Sequence, residues 1–150
     1  MVANEEGHHS LWIDEGMLAA IRQLCLQRGA IVAAYLFGSA AQGKMRPGSD
    51  IDIALLVEPE AEESFPLLET IVELEKLCGK ETDVVLLNRA GELLQYEVRR
   101  TGRLIFERDA AQRKQFEVSG RKRYEDFLYL HRRYTRKNLY GKHHGQRHSG

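Results

Sequence analysis

Two aspartates, Asp50 and Asp52, open an otherwise apolar run, Asp50-Ile51-Asp52-Ile53-Ala54-Leu55-Leu56-Val57. In an extended strand alternate side chains share a face, so both carboxylates point one way while Ile51 and Ile53 point into a core. Carboxylates held this close stay ionised at neutral pH only beside a compensating charge. A divalent cation supplies it, and an all-oxygen donor set suits Mg²⁺. Ten residues separate the pair from Gly38-Ser39. Gly38 permits close backbone approach, and Ser39 offers a hydroxyl and an N–H. If Ser39 begins a helix, the free N–H groups there seat a phosphate. Arg46, in the connecting loop, adds a cation against the same phosphates. A third acid, Asp83, stands near the start of the apolar run TDVVLL, where it is out of place without a partner. With its strand beside that of Asp50, a cluster of three forms. Three carboxylates can hold two metal ions ~4 Å apart, activating an attacking hydroxyl and steadying a leaving group. Each piece alone has an ordinary reading, a polar strand edge or a Gly-Ser turn. Their conjunction at this spacing points to chemistry.

The elements that must position these groups are legible from periodicity. Residues Asp14 to Arg28 carry Leu18, Ile21, Leu24 and Cys25 on one helical stripe, with Gly29 as a stop. Ala30 to Phe37 is apolar on both alternating sets, as a strand covered on both faces requires. Asp50 to Val57 is the second strand. Ser64-Phe65-Pro66 opens a helix with Leu67, Ile71, Leu74 and Cys78 on its buried stripe, ended by Gly79. Thr82 to Leu87 is the third strand, and Asn88 is expected to cap a short helix through Arg100. Arg103 to Glu107 is short and extended. From Asp109 a long amphipathic helix carries Phe116, Tyr124, Phe127, Leu128 and His131. This order predicts an α/β (α+β) domain, a small mixed sheet with helices packed on it. The expected divisions are a flexible N-terminus over 1–13, a core over 14–108, a C-terminal helix over 109–140 packed on the core or a partner, and a disordered tail over 141–150.

Composition narrows the classes of function. The 43% hydrophobic and 29% charged residues are a globular balance, which excludes wholesale disorder. No apolar run approaches the ~20 residues of a membrane span, and MVANEEGHHS lacks the pattern of a signal peptide. Cys25 and Cys78 fit no metal-ligand spacing and read as small core residues in a reducing cytoplasm. The net charge of +0 hides an asymmetry. Residues 1–118 hold 13 Lys and Arg against 20 Asp and Glu, while residues 119–150 hold 9 against 2. Tyr124, Tyr129 and Tyr134 interleave with this basic end, the composition of an RNA-binding face. They read better as residues that pack on the sheet or on a partner, and nucleic acid is not the expected ligand.

Gly38-Ser39, ten residues, then Asp50-Ile51-Asp52 resembles the signature of the polymerase-beta-type nucleotidyltransferases, at the spacing of the minimal nucleotidyltransferase (MNT, or MntA-like) subgroup. The segments TDVVLLNRAGELLQYEVRRTGRLIFERD and FEVSGRKRYEDFLYLHRRY are similar to the later strands and C-terminal helix of MntA-like antitoxins. The likeness spans roughly residues 15 to 137. It implies a polymerase-beta-like nucleotidyltransferase fold with a long C-terminal helix. It also implies nucleotide contacts at Gly38, Ser39, Arg46 and Ser49, and catalytic, metal-binding roles for Asp50, Asp52 and Asp83. The cofactor would be two Mg²⁺ ions and the substrate ATP. Gln42 departs from the pattern, because many relatives carry a basic residue there. Family members of this size are type VII antitoxins that transfer AMP to a tyrosine of a HEPN-domain ribonuclease toxin and silence it. The alternatives are nucleotidyl transfer to a small molecule such as an aminoglycoside, and neutralisation of a toxin by binding alone.

Overall fold

The computed structural model describes residues 13–43 and 50–148. The N-terminus expected to be flexible lies, but for Ile13, outside the described residues. Arg46 and Ser49 lie outside them too.

Four strands form one mixed sheet in the order β3-β2-β1-β4. They are β1 (Ile31–Phe37), β2 (Ile51–Val57), β3 (Thr82–Leu86) and β4 (Arg103–Glu107). β1 runs antiparallel to both β2 and β4, whereas β2 and β3 are parallel. The helices are α1 (Glu15–Gln27), α2 (Gly38–Ala41), α3 (Leu67–Cys78), α4 (Glu92–Thr101) and α5 (Ala110–His148). This is the small mixed sheet with packed helices and long C-terminal helix that the sequence predicts.

Central position explains the uniform apolarity of β1, in which every residue is buried. Leu18, Ile21, Leu24 and Cys25 of α1 and Leu74 and Cys78 of α3 pack against Ile31, Leu36, Ile51, Ile53 and Leu55 on one face. Val98 of α4 closes on Val32, Ala33, Tyr35, Phe37, Ala54 and Leu56 on the other, with Phe116 of α5 packed beside it. Val32 and Ala33 share a face because the pairing register shifts between Ile31 and Ala33, a bulge that interrupts strict alternation. Both cysteines are buried and free, and burial pushes the Cys25 thiol up to about 12, so it serves as a small core residue.

The helix ends follow local chemistry. Asp14 caps α1 by accepting a hydrogen bond from the Met17 N–H at 2.8 Å. Gly79 closes α3 in the left-handed region at φ 65°. One expected cap is corrected. The chain makes a 3₁₀ turn over Leu87–Arg89, and Gly91, with no side-chain bond, precedes α4. Asn88 instead clamps Val57, accepting from its N–H at 3.0 Å and donating to its carbonyl at 2.9 Å. The carbonyl and N–H at the end of the neighbouring strand β2 compete successfully for an amide that sequence assigns to the nearest helix.

α5 is tied to the sheet by a polar chain. Tyr35 Oη donates to Glu117 Oε1 at 2.7 Å, and Arg113 pairs with both Glu117 and Glu107. Tyr124 stacks on Tyr96 of α4, whereas Tyr129 and Tyr134 are exposed. The backbone of α5 is helical from Ala110 to His148. Each residue added to a formed helix gains one backbone bond without a new nucleation cost, so helix outlasts the apolar pattern that started it.

Candidate active site

The register of β2 against β3 sets the acids side by side. Asp52 pairs with Asp83, flanked by the pairs Ile51–Thr82 and Ile53–Val84. Ile51 and Ile53 belong to the α1/α3 face of the core, so Asp52 and Asp83 project from the opposite face, that of α4. In parallel neighbours ~4.8 Å apart, this brings the two side chains onto one patch of sheet. Asp50 lies just before β2 and is exposed, as is Asp83, while Asp52 is half-buried.

Gly38 makes the other wall. It follows β1 directly and opens the one-turn helix α2 with φ 64°, a conformation that costs a side-chain-bearing residue ~1 kcal/mol or more. A Cβ at this position would collide with Asp52 Oδ2. The Asp52 carboxylate therefore rests against the bare α-carbon of Gly38, and Phe37 is its cross-strand partner. Ser39 stands in the first turn of α2, half-buried beside this carboxylate wall.

The electrostatics match a site built for positive charge. Burial first, then Asp83, Asp50 and Glu97, hold the Asp52 carboxyl above the usual carboxylate range. Glu97 is a fourth acid that the motif does not signal. It sits in the middle of α4, and only the packing of that helix over the sheet brings its charge to Asp52. Among the described residues no group of three His, Cys, Asp or Glu side chains has the spacing of a metal site. The fold thus joins Asp52 and Asp83 directly, and Asp50 reaches them through its field. Carboxylate oxygens carrying uncompensated negative charge are the donor set that a hard divalent cation fits.

A stability consequence follows for the metal-free protein. A carboxyl whose pKa is raised on folding favours the folded state below its unfolded value and opposes it as pH rises through the folded value. Asp52→Asn is therefore expected to raise the Tm at pH 7 in the presence of a chelator. The gain should be small, because Asp52 is only partly enclosed and solvent screens the repulsion. It should vanish below the ordinary carboxyl value of 3.8. Thermal unfolding of both proteins from pH 3 to pH 8 checks it, and an Asn variant less stable at pH 7 would show that Asp52 is not held in a repulsive field.

The polymerase beta nucleotidyltransferase family model matches residues 19–111. That span contains α2, all four strands and the three aspartates. No curated protein matches the chain. Among solved structures, a chain from a toxin-antitoxin complex with AMP-PNP aligns at 24% identity and TM-score 0.63, covering 80% of this chain and 96% of that one. A chain of the toxin-antitoxin MntA-HepT complex aligns at 21% identity and TM-score 0.62, covering 84% and 98%. A third, from a tri-AMPylated Shewanella oneidensis HEPN toxin in complex with MNT antitoxin, gives 21% identity and TM-score 0.56, covering 81% and 98%. At these identities the likeness is one of fold. The family model, the β-sheet topology and the acids paired across β2 and β3 agree, and the chain belongs to the polymerase beta nucleotidyltransferase family.

Proposed function

We propose that the protein is a cytoplasmic antitoxin of the minimal nucleotidyltransferase type, which transfers AMP from ATP to a tyrosine of a HEPN-domain toxin and so silences it. The observation that carries this reading is the Asp52–Asp83 pairing against the bare α-carbon of Gly38. Support for the acceptor comes from the fold shared with toxin-antitoxin assemblies, one of them with AMP-PNP and another with an AMPylated HEPN toxin. Among the described residues no helix is long and apolar enough to cross a membrane, which agrees with a cytoplasmic role.

Gly38 and Ser39 receive the triphosphate, through close backbone approach and the Ser39 hydroxyl and N–H. Arg46 and Ser49 complete the nucleotide contacts. Asp50, Asp52 and Asp83 would hold two Mg²⁺ ions. When bound, Mg²⁺ offsets the triphosphate charge and favours ionisation of the acceptor hydroxyl. Asp52, the most enclosed of the three acids, would hold the cation that neutralises the triphosphate. Asp83, exposed at the start of β3, faces the acceptor side. The tyrosine oxygen attacks the α-phosphorus in line, the bond to the bridging oxygen breaks, and pyrophosphate leaves. Positioning and charge do most of the work in such a transfer.

The test is incubation with α-labelled ATP and Mg²⁺, with and without a HEPN partner. Label on the partner's tyrosine is the expected result. Label on a small molecule would replace the acceptor, and no label on any acceptor would overturn the transferase reading.

A further inference from the structure

A second feature lies between α4 and α5, and neither the strands nor the three aspartates contribute to it. A cavity of ≈ 440 Å³ is lined by Tyr96, Arg99 and Arg100 of α4 and by Arg121, Tyr124, Glu125 and Leu128 of α5. Tyr96 and Tyr124 stack face to face at 4.2 Å with their planes 7° apart, tying α4 to α5 at the cavity.

The cationic side is unusual. Among the described residues, Arg99 Nη1 and Nη2 are shut off from solvent and have no hydrogen-bond acceptor. Arg123, nearby, has partners, donating to Gln95 Oε1 at 3.2 Å and standing 3.6 Å from Glu92 Oε1. Burial, then Arg121, depress the Arg99 guanidinium from its ordinary range, with Arg123 adding to this and Glu92 and Glu117 opposing it. Gly120 explains how the group fits. Glycine inside a helix costs ~1 kcal/mol relative to alanine. Here a Cβ would come within 2.5 Å of Arg99 Nη1 and 3.5 Å of Gln95 Oε1, so the bare helix position makes room for the guanidinium. The Arg99 charge therefore lies beneath the cavity, short of a hydrogen-bond acceptor, and acts on what the cavity holds through its field.

We propose that this cavity binds a small phosphate-bearing aromatic ligand of the nucleoside monophosphate class, at a site separate from Gly38, Asp52 and Asp83. Charge selects the anion. Three arginines and Glu125 leave a surplus of two positive charges, and a phosphate monoester carries roughly −1.5 to −2 at neutral pH, whereas a lone carboxylate brings one. Guanidinium forks match phosphate oxygens in geometry. The stacked tyrosine pair and Leu128 supply the aromatic and apolar side of the cavity against which a base packs. The volume falls within the roughly 300–1,000 Å³ of small-molecule sites.

Calorimetry on the full chain without divalent metal, using AMP, adenosine, ribose 5-phosphate and inorganic phosphate, tests the proposal. AMP should bind more tightly than any of the other three, because only it fills both halves of the cavity. Its affinity should fall at least about tenfold in Arg121→Gln and in Arg100→Gln, the scale of losing one charge-assisted contact. Arg121 is exposed on α5, so its replacement reads binding without threatening the fold. AMP affinity should persist in Asp52→Asn. No AMP binding, equal binding of adenosine, an affinity untouched by both arginine variants, or binding lost in Asp52→Asn would each overturn the assignment.

Discussion

Asp83→Asn is expected to lower the rate of AMP transfer at least ~10²-fold while leaving most of the ATP affinity, whereas Asp52→Asn should lose transfer and ATP binding together. The two acids are register partners, yet their surroundings differ. Asp52 is half-buried against Gly38 and holds the site's most repulsive position, so its carboxylate meets the nucleotide and the cations that accompany it. Asp83 is exposed on the β3 side, where an acceptor hydroxyl would arrive. Asparagine is nearly isosteric with aspartate, and loss of one positioned ionisable group typically costs 10²–10⁴-fold. Single-turnover transfer and ATP calorimetry on both variants, with circular dichroism as a folding control, separate the roles. Wild-type transfer by Asp83→Asn would remove Asp83 from the reaction and direct attention to Glu81 and Glu97.

The largest effect on stability is expected outside the site, at Arg108. Its guanidinium donates to the carbonyls of Cys25 at 2.8 Å, Leu26 at 3.0 Å and Ile31 at 3.0 Å, joining the end of α1 to the start of β1. The Cys25 and Leu26 carbonyls belong to the terminal turn of α1, where a cation also meets the negative end of the helix dipole. Arg108→Met keeps much of the side-chain volume but leaves these acceptors to water. A loss of about 2 kcal/mol follows from charge-assisted bonds of this kind, or about 4–8 °C in Tm at this chain length. Arg108→Lys should recover only part, because an ammonium cannot span three carbonyls as a planar fork does. Thermal and urea unfolding measure both variants. A Met variant within about 1 °C of wild type would mean that water replaces the guanidinium without cost.

The strands, the helices and the site's two walls were legible because each depends on neighbours in sequence. The alternation in Asp50-Ile51-Asp52-Ile53 assigns faces by itself, and the doubly covered β1 shows as an unbroken apolar run. Asp83 could be placed beside Asp52 because an acid at the head of TDVVLL needs a partner, and the observed register supplies it. What escaped depends on contacts between distant elements. Asn88 looked like a helix cap until Val57 proved its partner. Glu97 joins the field at Asp52 only through the packing of α4 on the sheet. The Tyr96–Tyr124 stack and the glycine that admits Arg99 arise where α4 meets α5, and no spacing within either helix announces them. The bulge that places Val32 and Ala33 on one face likewise belongs to the pairing of β1 with β2, not to β1 alone.

The most direct measurement is tandem mass spectrometry of a HEPN partner after incubation with ATP, Mg²⁺ and either the wild-type protein or Asp52→Asn. The paired-carboxylate account predicts AMP on a tyrosine of the partner with wild type and an unmodified partner with Asp52→Asn. An equal AMP adduct with both proteins, or a partner silenced by wild type without any adduct, would contradict it.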